Sequence, residues 1–179
     1  MKLLRTIRAD ASDTFVFSKA AGPGEWAVSG AFAFAGVDPE ALPRKERTAF
    51  RSGFLGIGSL GWSTLAQIVE ASEEDRLKAI EMLATQFLAH FRAPDIATAR
   101  LAAEEEIGFT ASLCDHATGT LATVSRSLEN GSIREAFRAL IPDTGSKPTR
   151  VFDLIEVVGD EVIKAGATDL SPPATGGRS

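Results

Sequence analysis

The sequence predicts an α+β domain in which a mostly antiparallel sheet carries an adjacent helix pair packed on one face. Strand patterns cluster toward both ends of the chain, two amphipathic helical patterns lie side by side between them, and regular strand–helix alternation is missing. We expect a single α+β domain over residues 1–170. We expect a disordered tail over 171–179, since SPPATGGRS offers no large apolar side chain.

Short apolar runs rich in β-branched or aromatic residues predict strands at 2–7 and 14–18. In EWAVSGAFAF, large and small side chains alternate with a period of two, which predicts one further strand. Pro39 begins a charged helical stretch. The regular helix in that stretch is expected to start at Pro43, since proline suits the first turn of a helix and not its interior.

Two helices are predicted in the middle of the chain. Ser72 and Asp75 form a capping box at the start of the first helix, which runs to about Phe91. Asp95 caps the second helix, which runs to about Cys114. The apolar stripe of the first helix comprises Leu77, Ile80, Leu83, Ala84, Phe87, Leu88 and Phe91. The apolar face of the second helix comprises Ile96, Ala99, Ala103, Ile107 and Ala111.

Two hairpins are predicted in the C-terminal part of the chain. LATVSRSLE and SIREAFRAL flank Asn130-Gly131, a dipeptide that strongly favours a two-residue hairpin turn. Arg126, Arg134 and Arg138 are expected to stand on these strands. VFDLIEVV and EVIKAG flank a second turn at Gly159-Asp160.

The composition disfavours several classes of function. The chain has 179 residues, a net charge of −5 and a pI of about 5.1. An acidic surface repels phosphate groups, so we expect no binding of nucleic acid or of anionic membranes. A single cysteine excludes an intramolecular disulfide and suits a reducing compartment. Neither a signal-peptide core nor a transmembrane stretch is visible, and the predicted location is cytoplasmic.

The stretch GIGSLG has the G-x-G-x-x-G spacing of loops that hold dinucleotide pyrophosphates. In those loops a strand leads into the glycines and a helix follows them. Here a helical stretch precedes the glycines and an alternating segment, WSTLAQIVEA, predicts a strand after them, so the order is reversed. Two other interpretations remain. The glycines permit tight turns in the core, or they form a mobile loop over a pocket lined by Phe54, Gly56, Gly58 and Trp62.

Cys114, Asp115 and His116 stand together in SLCDH, and His90 is the other histidine. In a continuous helix, Cys114 and His116 point to nearly opposite sides and cannot chelate one ion. No metal site and no cofactor are therefore predicted. Cys114 continues the apolar face of the second helix, and we expect it to be buried and unreactive.

Four stretches of the chain are similar to a known family: GEWAVSGAFAF, RSGFLGIGSLGWSTLAQIVEAS, AEEEIGFTASLCDH and IREAFRAL. They resemble a small bacterial family catalogued as a domain of unknown function. The likeness covers most of the chain, up to the loop before Val151. It implies a stand-alone bacterial protein and supplies no activity, cofactor or site residue.

Two functional hypotheses follow from the residues. The first is a non-catalytic cytoplasmic module that binds a small molecule or a protein partner, with a homodimer left open. The alternative is an enzyme with a pocket at the glycine-rich loop, using His90 or His116 as the acid or base. A pocket that gathers convergent polar groups favours the enzyme, and an apolar pocket favours the binding module.

Overall fold

A computed structural model describes residues 1–8, 10–142, 152–158 and 161–164. Its strands are β1 (Lys2–Ile7), β2 (Trp26–Val28), β3 (Phe54–Gly56), β4 (Trp62–Ser63), β5 (Leu65–Glu70), β6 (Leu121–Glu129), β7 (Ser132–Pro142), β8 (Phe152–Val158) and β9 (Glu161–Lys164). Its α-helices are α1 (Ser12–Val16), α2 (Arg44–Ser52), α3 (Glu73–His90) and α4 (Ile96–Ser112). Two 3₁₀ turns span Ala31–Phe34 and Pro39–Ala41.

The described strands form one sheet in the order β4-β3-β2-β1-β5-β6-β7-β8-β9. Every neighbouring pair in this order is antiparallel. An isolated parallel bridge joins Ala20 to Trp62 beside the edge strand β4. The predicted α+β class with a mostly antiparallel sheet is thus confirmed.

The helix pair α3–α4 packs on the sheet through one large apolar cluster. Leu3 of β1, Val28 of β2 and Leu55 of β3 supply the strand side of this cluster. The helix side consists of Ala79, Ile80, Leu83, Ala84, Phe87, Ala99, Ala103 and Ile107. Successive strand residues point to opposite faces, so Leu4 and Ala27 contribute to a second cluster.

Both predicted helix starts are confirmed. The Ser72 hydroxyl accepts the Asp75 N–H at 3.1 Å while the Asp75 carboxylate accepts the Ser72 N–H at 3.0 Å, and Asp95 accepts the Thr98 N–H at 2.7 Å. The predicted apolar faces are too wide. Three of their members are more than a third exposed, because the sheet and the partner helix cover only the middle of each face: Leu77, Leu88 and Ile96.

One predicted strand is wrong, and another is shorter than predicted. Residues 14–18 do not form a strand, because the chain there turns into the short helix α1. The buried Asp13 carboxylate fixes that turn by accepting the Ser63 hydroxyl at 3.2 Å and the Thr64 hydroxyl at 2.5 Å. The strand predicted for EWAVSGAFAF ends at Val28, because Gly30 adopts a φ of 82° and starts the 3₁₀ turn Ala31–Phe34.

The first predicted hairpin is confirmed. Asn130 and Gly131 have φ values of 50° and 77°, as a type I′ turn requires. The strands pair from Glu129 opposite Ser132 back to Leu121 opposite Leu140. The strands β8 and β9 also pair with each other, while the turn predicted at 159–160 and the tail predicted at 171–179 lie outside the described residues.

Gly131→Ala is expected to lower the free energy of unfolding by about 1 kcal/mol, because an L side chain resists the positive φ at this position. Gly108→Ala is the matched control, since this helical glycine has nothing within 4 Å of an added Cβ. The control is expected to raise stability by about 0.5–1 kcal/mol. Urea denaturation followed by circular dichroism measures both. Equal effects from the two substitutions would contradict the turn assignment.

Candidate functional site

The glycine-rich loop holds a carboxylate that belongs to the protein itself. Glu25 accepts the Ser59 N–H at 2.8 Å through one oxygen and the Gly22 N–H at 2.5 Å through the other. A Cβ added at Gly56 would lie 2.7 Å from a Glu25 oxygen, and one at Gly58 would lie 3.2 Å from it. These two glycines therefore make room for Glu25. The Ser59 N–H, which could otherwise hold a bound phosphate, is turned toward that side chain.

Phe54 and Trp62, the aromatic residues predicted to line a pocket at this loop, pack into the protein. Phe54 is fully buried. The Trp62 ring stacks on Phe34 with centroids 5.1 Å apart, and it lies 2.9 and 2.8 Å from Cβ atoms built at Gly30 and Gly53. Neither of the two cavities described below is lined by Phe54, Gly56, Gly58 or Trp62. Ligand binding by these four residues stays a prediction.

The cysteine and the two histidines differ in their environments. Cys114 is buried, as predicted; its thiol donates to the Thr110 carbonyl at 3.3 Å, and burial raises the pKa of that thiol to about 12. His90 is exposed at the end of α3. His116 is half-buried and borders a narrow apolar cavity with Leu4, Ile68, Leu113, Ala122, Phe137, Arg138 and Ala139. Within the described part of the chain, no three His, Cys, Asp or Glu residues are grouped to hold a metal ion.

A larger cavity lies between the segment 31–38 and the tip of the β6–β7 hairpin. This groove is open to solvent and has a volume of about 660 Å³. It is lined by Ala31, Phe32, Phe34, Ala35, Gly36, Val37 and Asp38 on one wall and by Leu128, Gly131, Ser132 and Ile133 on the other. Two phenylalanines and five aliphatic side chains, two of them alanines, give it a predominantly apolar surface.

The first wall is rigid because its two phenylalanines are anchored from behind. Phe32 makes edge contacts with Phe87 and Phe91, at centroid distances of 4.8 and 5.1 Å. Phe34 makes an edge contact with Phe50 at 5.3 Å and stacks on Trp62. Such geometries add to the stability that the buried ring area already provides. The rings are therefore held in place without any ligand.

A buried ionic cluster ties the two walls together. Arg126 of β6 and Glu135 of β7 are cross-strand neighbours, and their side chains form an ion pair at 2.8 Å. The Arg126 side chain is 0% exposed. Arg126 also donates to the carbonyl of Ser29, and the Ser29 hydroxyl donates to Glu135. Ser29 immediately precedes Gly30, so the cluster joins the hairpin wall to the start of the opposite wall.

Arg126 also completes the C-terminal end of α2. The last carbonyls of a helix have no partner within the helix. Arg126 donates to the carbonyls of Phe50 at 3.0 Å and Gly53 at 2.8 Å, and more weakly to that of Ala49 at 3.4 Å. A cation at this end also complements the helix dipole. The buried guanidinium of Arg126 therefore connects the β6–β7 hairpin, the C-terminal end of α2 and the segment at Ser29.

Glu106 of α4 adds a second carboxyl group to this cluster. Burial raises the pKa of Glu106 to about 7, and repulsion from Glu135 acts in the same direction. A hydrogen bond from the Gly30 backbone and the Arg126 charge oppose the rise. One Glu106 oxygen is buried without a hydrogen-bond partner among the described residues. Glu106 therefore changes charge near neutral pH at the point where the first wall begins.

Sequence reasoning placed Arg126 on a strand but missed the cluster and the groove. A signal for the ion pair was available. A two-residue turn at Asn130-Gly131 fixes the register, and that register sets Arg126 directly opposite Glu135. No local signal pointed to the groove, because its first wall depends on the unpredicted turn at Gly30.

The comparisons with known proteins place the chain in a family without an assigned activity. The model of DUF6505, a family of unknown function, matches residues 1–150. The chain belongs to this family. The predicted resemblance to a family of unknown function is confirmed. The matched region contains both walls of the groove and the four residues of the ionic cluster: Ser29, Glu106, Arg126 and Glu135. No curated protein matches the chain, and no solved structure does.

Over the described residues, no helix has the length and apolar character that crossing a bilayer demands.

Proposed function

We propose that this protein is a non-catalytic binding module that holds a small ligand with an apolar body in the groove between residues 31–38 and the hairpin tip. The observation that carries this proposal is a groove of about 660 Å³ with two phenylalanines fixed in its wall. Small-molecule sites typically occupy about 300–1,000 Å³ and are lined mainly by apolar side chains.

The groove also has the preorganisation that binding favours. Leu128 is 41% exposed at its rim, so apolar surface is available for a ligand to cover. The walls are linked through Arg126, Glu135 and Ser29. Because these walls are already ordered, a ligand loses little binding energy to ordering them.

The competing hypotheses receive less support from the geometry. Glu25 already accepts the Ser59 N–H of the glycine-rich loop, and its own negative charge there disfavours an anionic ligand. Neither His90 nor His116 lines the groove, so an enzyme that uses either histidine stays an untested alternative. Cytoplasmic location, bacterial origin and a single domain belong to the proposal as expectations. A protein partner or a second copy of the chain remains an alternative occupant.

Saturation-transfer NMR with small aromatic probes tests the proposal. The probes are 2-phenylethylamine, 2-phenylethanol and 3-phenylpropionate, which share one ring and differ in charge. Ala35→Trp fills the groove, and Ala97→Trp places the same side chain at an exposed alanine of α4. We expect at least one probe to bind the wild type and the Ala97→Trp control, and its signal to disappear in Ala35→Trp. Equal signals from both variants would refute binding in the groove.

A further inference from the structure

The chemistry of the groove wall points to the charge of the ligand, an inference that rests on the proposed function. Among the described residues that line the groove, Asp38 is the only charged one. It is exposed, and its Oδ1 atom accepts the Glu40 N–H at 3.0 Å as the cap of the 3₁₀ turn Pro39–Ala41. That bond holds the carboxylate at a defined place on the rim.

The positive charge that links the two walls of the groove is not available to a ligand. Arg126 has a fully buried side chain, and it is paired with Glu135 and with backbone carbonyls. The groove itself therefore presents one carboxylate and the half-buried ring of Phe32, while the ring of Phe34 behind it is only 7% exposed. Rings attract cations through their negative faces, and a carboxylate attracts them directly. The net charge of −5 adds an attraction for cations at longer range.

We infer that the groove takes a small organic cation, an amine or ammonium group on an apolar body, with the charged group at Asp38 and the body against Phe32 and Phe34. A rim carboxylate and an aromatic wall together suit this chemical class. They would repel a carboxylate or phosphate ligand of the same size. A neutral ligand would gain only the apolar contacts.

The same three probes test the inference by their relative affinities. We expect 2-phenylethylamine to bind about fivefold more tightly than 2-phenylethanol. This ratio of affinities matches the usual strength of exposed ion pairs and cation–π contacts. We expect 3-phenylpropionate to bind most weakly. The preference for the amine should shrink as salt is added, because salt screens exposed charges.

Asp38→Asn removes the charge and keeps a good capping side chain. We expect it to lower the affinity for 2-phenylethylamine about fivefold, to the level of the alcohol, and to leave the alcohol unchanged. Asp95→Asn is the matched control, because Asp95 is also an exposed capping aspartate but does not line the groove. It should alter neither affinity.

The outcomes separate the inference from the function on which it rests. If the alcohol or the propionate binds as tightly as the amine while Ala35→Trp still abolishes binding, the ligand is not a cation but the groove remains the site. An unchanged amine preference in Asp38→Asn overturns the inference in the same way. If no probe binds in a manner that Ala35→Trp blocks, the proposed function fails and the inference fails with it.

Discussion

Arg126→Met is expected to lower the free energy of unfolding by about 3–5 kcal/mol, the usual cost of removing one partner of a buried ion pair. Methionine fills much of the same volume, but it leaves Glu135 without its cation and removes donors from the carbonyls of Phe50 and Gly53. Urea denaturation followed by circular dichroism measures the loss. The same variant should bind the groove probes more weakly, because the two walls lose their shared contact.

Arg134→Met is the control for this prediction. Arg134 lies on the same hairpin and has an ion pair with Glu129 at 3.8 Å, but both side chains are more than half exposed. Exposed pairs contribute little, so we expect a change within about 0.5 kcal/mol. If Arg126→Met costs no more than Arg134→Met, the ionic cluster does not hold the hairpin to the rest of the fold.

Glu106→Gln is expected to remove a pH dependence of stability. The pKa of Glu106 is raised in the folded protein, from 4.5 to about 7, so the folded state binds the proton more tightly than the unfolded chain. The wild type should therefore lose stability as the pH rises from about 4.5 to about 7. Each pKa unit corresponds to about 1.4 kcal/mol, so the loss approaches about 3 kcal/mol.

Above pH 7 the Glu106→Gln variant should be more stable than the wild type, because glutamine carries no charge beside Glu135. Near pH 4.5 the two proteins should be similarly stable, since protonated glutamate and glutamine are close in shape and charge. Glu105→Gln, at the exposed neighbouring residue, should keep the wild-type pH profile. Parallel profiles for wild type and Glu106→Gln would show that Glu106 does not titrate in this range.

The sequence predicts those parts of the fold that depend on neighbouring residues. The capping box at Ser72 and Asp75, and the turn at Asn130-Gly131, are set by side chains within a few positions of each other. The register of the β6–β7 hairpin follows from that turn, and with it the pairing of Arg126 with Glu135. Local chemistry was sufficient for these features.

The remaining features depend on contacts between distant residues. Glu25 accepts from Ser59, which is 34 positions away, and the room that Glu25 needs explains Gly56 and Gly58, two of the three glycines whose spacing resembles a nucleotide-binding loop. The helical turn at Asp13 depends on Thr64, which is 51 positions away. The groove joins a turn at Gly30 to a hairpin tip about one hundred residues later in the chain. Patterns in a short window carry no information about such pairings.

The central claim is that a small ligand binds between residues 31–38 and the hairpin tip. Mapping of amide chemical-shift changes on titration with each of the three aromatic probes tests it most directly. We predict saturable changes concentrated at residues 31–38 and 128–133, with the amides around the glycine-rich loop at 56–61 unaffected. Changes concentrated at 54–62, or no saturable change in either segment with any of the probes, would contradict the claim.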